Sequence, residues 1–355
     1  SIKTLVITPG STSTKVAVYE DERPLCVSTI RHTPDELAAY TQIIDQHDFR
    51  RQLVTDWLAQ NDIPLRFDAI IGRGGLIKPI PGGVYRVNRK MCFETYYALR
   101  KHACNLGCIL AYELAKEQGG GCQAYIADPV TVDELVPEAR VSGSPLMPRL
   151  AIWHALNQRA IARRYARQVG CSYNDLNLIV CHLGGGISVA AHEHGRAIDA
   201  NNALDGEGPL SPERAGTLPA ADLIHLCYSG RYTEEQLKKR VAGQAGLMAH
   251  LGTTDILQIM QMIEQGNEHA RLLINAMIFH TAKQIAAEGA VLCGQVDAIL
   301  LTGGMAHSTY ITEGIKQRVS YLAPVHVFPG EDEMEALALN ALAVLRGECQ
   351  AKEYE

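Results

Sequence analysis

Thr4-Leu-Val-Ile-Thr-Pro-Gly-Ser-Thr-Ser-Thr-Lys15 is an apolar strand running into a turn of small residues, and Val16-Ala-Val-Tyr19 carries the chain back as a second strand. The same design recurs in Leu178-Ile-Val-Cys-His-Leu-Gly-Gly-Gly-Ile-Ser188, followed by Val189-Ala-Ala191. A third apolar run, Ala298-Ile-Leu-Leu-Thr-Gly-Gly-Met305, also ends in glycines. One glycine-rich turn says little. Two strand–turn–strand starts half a chain apart, each followed by helical segments, predict two related α/β domains. Helices are expected at Phe49–Ala59, Leu156–Val169 and Asn267–Leu292, the last with Leu272, Ala276, Ile278 and Ile285 on its apolar side. Near the C-terminus, Met334, Leu337, Ala341 and Leu345 fall on one helical stripe behind an acidic first turn that complements the helix dipole.

The length of 355 residues suits two domains, and 47% hydrophobic with 20% charged residues is ordinary globular composition. A formal charge of -6 gives no electrostatic reason to expect nucleic acid or an anionic membrane as partner. No apolar run is long enough to span a bilayer and the N-terminus has no signal-peptide pattern, so a cytoplasmic location is expected. The ten cysteines lack regular spacing. Several, such as Cys181 and Cys293, sit in apolar runs and are expected as small buried thiols in a reducing compartment. Cys104 and Cys108 are four apart, but no second pair lies nearby to complete a structural zinc site. His192-Glu-His194 precedes Gly195 and is expected as solvated hairpin surface rather than a metal pair.

Backbone amides in a turn of small residues can converge on a phosphate. Gly10 to Thr14 and Gly184 to Gly186 offer two such turns, with Lys15 beside the first. Neither is a Walker A loop or a dinucleotide fingerprint. Taken singly, each can equally be a tight structural turn.

Five segments carry a more specific message. They are Ile7-Thr-Pro-Gly-Ser-Thr-Ser-Thr-Lys15, Gly72-Arg-Gly-Gly-Leu-Ile-Lys-Pro-Ile80, Cys181-His-Leu-Gly-Gly-Gly-Ile-Ser188, Asp205-Gly-Glu-Gly-Pro-Leu-Ser-Pro-Glu-Arg-Ala-Gly-Thr-Leu-Pro219 and Phe328-Pro-Gly-Glu-Asp-Glu-Met-Glu-Ala-Leu337. In this order, through nearly the whole chain, they resemble the motifs of the butyrate kinases. That family belongs with the acetate kinases in the superfamily of acetate and sugar kinases, heat-shock proteins and actin. The resemblance implies an α/β fold of two duplicated ribonuclease H-like domains, the actin-like ATPase design, around a nucleotide cleft. Residues 1–150 with a C-terminal helix at about 333–355 would form an acyl and phosphate domain, and residues 151–332 a nucleotide-binding domain. The implied chemistry is reversible phosphorylation of a short-chain or branched-chain aliphatic carboxylate to an acyl phosphate, with ATP and Mg2+ as cofactors, in a homodimer. An acetate or propionate kinase, and a non-catalytic nucleotide-binding regulator of the same superfamily, are the alternatives.

A carboxylic acid is already ionised at neutral pH, so such a nucleophile needs no general base. It needs its charge masked beside an anionic phosphate, and the arginine fork suits both groups. The resemblance implies that Arg73 orients the substrate carboxylate, Arg214 stabilises the transferring phosphoryl group, and His182 donates a hydrogen bond to its oxygens. Asp128 joins this catalytic set. A carboxylate there can hold magnesium through water, orient an arginine, or simply cap the next helix. His102 and Pro209 are implied at the acyl site. Gly10, Ser11, Thr12, Ser13, Lys15, Gly184, Gly185 and Gly186 are implied around the phosphates, and Gly303, Gly304 and Met305 around the adenosine. Glu333 is the implied residue on the magnesium side, with Glu331 as alternative. Thr8 stands beside the implied metal where related sequences usually have asparagine; its side chain is shorter and lacks the amide.

Overall fold

The computed structural model describes residues 1–355. Its strands are β1 (Lys3–Pro9), β2 (Ser13–Glu20), β3 (Arg23–Arg31), β4 (Ala69–Arg73), β5 (Val84–Arg86), β6 (Gln123–Ala127), β7 (Asn177–Leu183), β8 (Ile187–Glu193), β9 (Arg196–Ala200), β10 (Ala298–Gly303), β11 (Val325–Pro329) and β12 (Lys352–Glu353). The helices that matter below are α1 (His47–Gln60), α2 (Leu106–Gln118), α3 (Ala155–Gln168), α4 (Ala220–Cys227), α5 (Glu268–Val291) and α6 (Glu333–Leu345).

The chain forms two compact units, Ser1–Val132 with Asp332–Glu355, and Asp133–Glu331. The boundary therefore falls at 132 rather than the expected 150. Residues 133–150 are tied into the second unit: the Val136 amide donates to the Ile198 carbonyl at 3.0 Å, and Arg149 pairs with Asp199 and Glu207 at 3.1 and 2.8 Å.

In the first unit a seven-stranded sheet runs β12-β5-β6-β4-β1-β2-β3. β1, β2 and β3 form an antiparallel meander, and β4 and β6 add in parallel beside β1. Leu5, Ile7, Val16 and Val18 alternate into one core with Leu106, Leu110 and Leu114 of α2. α6 packs on β1 and β4. Two glycines let α2 lie directly on β4, since a Cβ on Gly72 would sit 2.2 Å from the Gly107 carbonyl oxygen. α6 buries Ala336, Ala338 and Leu342 besides Met334, Leu337 and Ala341, while Leu345 is only half-buried.

In the second unit a five-stranded sheet runs β11-β10-β7-β8-β9. β7, β8 and β9 are the antiparallel meander, with β10 and β11 parallel beside β7. The order β6-β4-β1-β2-β3 of the first unit is thus repeated strand for strand, which is the duplication in structural terms. α5 buries Leu273, Ile274, Met277, Ile278 and Ile285, but Leu272 is exposed. The apolar stripe runs one residue later than expected at its start.

Two expectations about surface residues fail. His192 is fully buried on β8, because the hairpin turn comes only after Glu193, and His194 alone sits in it, with a left-handed φ of 49°. Cys293 is exposed, in the turn that follows α5, whereas Cys104, Cys108 and Cys181 are buried.

Candidate active site

In the first unit the implied residues gather at the carboxyl ends of the parallel strands, where open α/β sheets bind ligands. Arg73 is the last residue of β4, and its Nε pairs with Glu333 Oε1 at 3.0 Å, at the start of α6. Next to it, Gly74 lies against the residue that follows Asp128: a Cβ there would be 2.7 Å from Pro129 Cβ. Asp128 directly follows β6, with φ 40°, and is buried. It caps no helix. Its Oδ1 accepts the Gly83 amide at 2.8 Å and its own amide donates to the Gly83 carbonyl at 3.0 Å.

His102 is exposed and opens a 3-10 turn, Ala103–Asn105, where its Nδ1 accepts the Cys104 amide at 3.0 Å. Asn105, which sequence reasoning passed over, is buried. Its Oδ1 accepts the Leu76 amide at 2.8 Å and its Nδ2 donates to the Arg100 carbonyl at 2.9 Å. A Cβ on Gly75 would lie 2.7 Å from that Oδ1. The two glycines after Arg73 therefore let one loop touch both the His102 segment and the Asp128 segment.

The first turn, Gly10–Thr12, is closed by the Gly10 amide donating to the Ser13 carbonyl at 2.7 Å. Beneath it lies Arg50 of α1, fully buried and absent from the sequence expectations. Its Nη1 donates to the carbonyls of Gly10 and Ser13 at 2.6 and 3.0 Å, and its Nη2 to that of Ser11 at 3.2 Å. Gln46 Oε1 holds the guanidinium from behind, 3.1 Å from Nε and 2.8 Å from Nη2. Burial pulls the Arg50 pKa down to about 10, so it stays cationic at neutral pH. Thr14 Oγ1 bridges Arg50 and His32 Nε2, at 3.3 and 2.9 Å. Burial, then the Arg50 charge, depresses the His32 pKa to about 4. Lys15 is exposed, and pairs in register with Thr8. The Thr8 hydroxyl is turned to α6, donating to Met334 Sδ at 3.2 Å.

In the second unit His182, near the end of β7, is buried. Asn157 Nδ2 lies 2.8 Å from its Nδ1 and 3.3 Å from Thr302 Oγ1. With the Asn157 amine as donor, the ring proton is assigned to Nε2, which faces Glu331 Oε2 at 3.5 Å. Burial, then the nearby Arg214 charge, drops the His182 pKa to about 3. The ring is neutral at physiological pH, and the Glu331 contact is that of a neutral N–H, not an ion pair. His154 stacks on His182, with centroids 3.8 Å apart and planes 12° from parallel. From His154 a polar chain runs inward through Ser188, Gln158, His192 and Tyr173, every link between 2.7 and 2.9 Å. His154 and Asn157 are three apart at the start of α3, a spacing that puts them on one helical face. That spacing is the only signal the sequence offered for them.

The second turn, Gly184–Gly186, has the Gly184 amide donating to the Gly186 carbonyl at 3.1 Å. None of its three glycines has a left-handed φ; they are there for close approach. A Cβ on Gly186 would be 2.1 Å from Arg214 Nη1, one on Gly185 3.0 Å from Glu213 Oε2, and one on Gly184 3.0 Å from His182 Nε2. Arg214 is anchored by Nη1 donating to the Ala203 carbonyl at 2.8 Å. Burial lowers its pKa, against the raising effect of Glu213 and Asp205. Gly303, with φ 93°, exchanges two hydrogen bonds with Gly330, at 3.0 and 2.8 Å, and Gly304 next to it has open space around its Cα. The Met305 side chain lies in the core of the unit. Pro209 is buried with its carbonyl pressed on Gly216, where a Cβ would lie 2.5 Å away.

The acetokinase family matches residues 151–326. Over 354 residues, and the full length of both proteins, the chain is 61% identical to a "Probable butyrate kinase" of Bacteroides thetaiotaomicron. The chain belongs to the acetokinase family. Its resemblance extends at 48% identity to "Butyrate kinase 2" of Clostridium acetobutylicum, over 99% of each chain. Among solved structures, the acetate kinase of Porphyromonas gingivalis superposes with a TM-score of 0.80, over 97% of this chain and 100% of that one, at 16% identity. At that identity the likeness speaks for the fold alone. It assigns the two repeated sheets to the actin-like ATPase fold that the acetokinase family shares.

Proposed function

We propose that the protein transfers the γ-phosphoryl group of ATP to the carboxylate of a short-chain or branched-chain aliphatic acid, reversibly forming an acyl phosphate. The observation that carries this reading is what each unit presents by itself: a cation, Arg73, in the first, and a cation, Arg214, with a neutral donor, His182, in the second. His182 is neutral, and its pKa of about 3 makes it a poor base but leaves Nε2–H to donate. Arg73 has one nitrogen held by Glu333, which orients the fork and leaves its terminal nitrogens for a carboxylate. Arg214 lies flat against a glycine turn, where it can meet charge developing on a phosphoryl group. An ionised acid attacking phosphorus needs this kind of masking and positioning and no deprotonation. The full-length identity to relatives named butyrate kinases supports the same substrate class.

Carboxylate oxygens are the ligands Mg2+ takes, and Glu333 and Asp128 offer them beside Arg73. A bound Mg2+ would neutralise phosphate oxygens there. The turn amides and Lys15 hold phosphate, and the open backbone at Gly304 leaves room for the adenosine. His102 lines the acyl end. Thr8 acts through its place at the end of β1 rather than through its hydroxyl, which Met334 already takes.

No helix is long and apolar enough to cross a membrane, and all ten cysteines are free thiols, which supports a reducing, cytoplasmic setting. Helix α4 buries none of its side chains although Leu223, Ile224 and Leu226 are apolar, and Tyr228 just beyond it is also exposed. That exposed apolar face suits a second copy of the chain, the arrangement of a homodimer.

The test is formation of acyl hydroxamate with Mg-ATP across acids of two to six carbons. Turnover of butyrate or a branched acid faster than acetate is expected. A preference for acetate would assign the chain to the acetate kinases. Nucleotide binding with no turnover on any of these acids would favour the regulator.

A further inference from the structure

Every carbonyl from Gly10 to Ser13 is held from within the protein. Arg50 takes those of Gly10, Ser11 and Ser13, and the His32 amide takes that of Thr12 at 2.9 Å. The Ser11 and Thr12 amides, by contrast, donate to no protein group, and both residues are exposed. The turn is sorted, with acceptors drawn inward and donors left over.

The group that sorts it is an unusual choice. Arg50 is buried without any carboxylate: its acceptors are Gln46 Oε1, three carbonyls and the Thr14 hydroxyl, all neutral. Burying a cation with no counter-charge is costly, and a neutral amide could brace a turn at less expense. A full charge is explained if its counter-ion arrives from outside.

We propose that Arg50 is a concealed positioning residue of the first phosphate turn, holding its carbonyls inward so that the Ser11 and Thr12 amides serve an incoming phosphate, and lending positive potential from beneath without touching the ligand. The inference rests on the reading of this turn as a phosphate site. Gln46 and Thr14 belong to the same device, Gln46 by fixing the guanidinium and Thr14 by linking it to the neutral His32.

The experiment compares the full-length protein with Arg50→Met, Arg50→Lys and Gln46→Leu, measuring ATP and adenosine binding by calorimetry and steady-state kinetics with the preferred acid. For Arg50→Met, ATP binding should weaken by about tenfold, the scale of one unit charge acting through a partly buried environment. Adenosine binding and KM for the acid should hold within about twofold. Arg50→Lys should recover part of the ATP affinity, because it keeps the charge and loses the fork. If Arg50→Met does not fold, the comparison rests on Arg50→Lys and Gln46→Leu, which should weaken ATP binding by a few-fold while sparing adenosine. Equal loss of ATP and adenosine affinity, or a lower melting temperature with ATP affinity untouched, would reduce Arg50 to a structural brace and overturn the proposal. Should the native protein bind ATP but phosphorylate no acid, the proposed reaction fails while the calorimetry still decides Arg50.

Discussion

Pro9 and Ser13 are joined by Gly10-Ser-Thr12, and Leu183 and Ile187 by three glycines. Both turns span three residues and close the same strand pair in sheets of the same order. The first is shaped from beneath: one buried arginine gathers its carbonyls, and its side chains stay small but not absent. The second is shaped from above: Arg214 and Glu213 lie on it, and side chains there would collide with them. The first turn thus has a cation bonded to its carbonyls, and the second has a cation packed against its glycines. The two units share a strand order and differ in how a charge meets the turn.

The largest effect should come from the second turn. Arg214→Ala should lower kcat by about 10²- to 10³-fold, the usual result of losing one preorganised donor to a developing charge. Gly186→Ala should approach the same loss in a folded protein, because its Cβ would take the space of Arg214 Nη1, whereas Gly10→Ala should cost less than about threefold, its nearest neighbours being 3.4 Å away. Equal losses for the two alanine variants would break the contrast between the turns.

A smaller effect concerns acid. His182 and His192 titrate near 6.5 when unfolded and near 3 when folded. The unfolded chain therefore takes up more protons as pH falls below 6.5, so the stability present above that pH is lost progressively towards pH 3. By pH 5 each ring should cost about 2 kcal/mol, from 1.5 units at 1.36 kcal/mol per unit. Thermal melts from pH 7.5 to 5 should show it, and His192→Gln should flatten the slope. An unchanged slope would mean that the ring is not held neutral.

The smallest effect is at Thr8. Thr8→Asn should change kcat or the Mg2+ requirement by no more than a few-fold, since the native hydroxyl is engaged by Met334. A change confined to melting temperature would remove the position from the site and leave the first turn acting through backbone alone.

What could be read beforehand follows the range of the interactions involved. The hairpins at 4–19 and 178–191 were legible because continuous apolar runs and turn chemistry are local. So were α1, α3 and α5, to within two residues at each end. Arg50 was invisible because its meaning lies in a contact forty residues away, and an arginine inside an amphipathic helix looks like a solvated one. His192 was misjudged for a related reason. Its burial depends on Gln158 and Tyr173, which arrive from a helix and a 3-10 turn, while the two residues after it in sequence are polar. Local pattern gives strands and turns; the partners of a buried polar group are a property of the assembled unit.

The first unit is closed by residues 332–355, which return to it after the second unit. α6 packs on β1 and β4, Lys352–Glu353 pair with β5, and Asn88 Nδ2 donates to the Tyr354 carbonyl at 2.9 Å. During synthesis, residues 1–132 must wait while 133–331 are made, and the latter form an uninterrupted stretch that can fold as it emerges. Glu333, the partner of Arg73, comes off the ribosome after that stretch. A nascent chain halted before residue 332 would carry the second turn finished and the first unit still lacking the helix that orients Arg73, so Arg73 gains its partner only after residues 133–331 have been made.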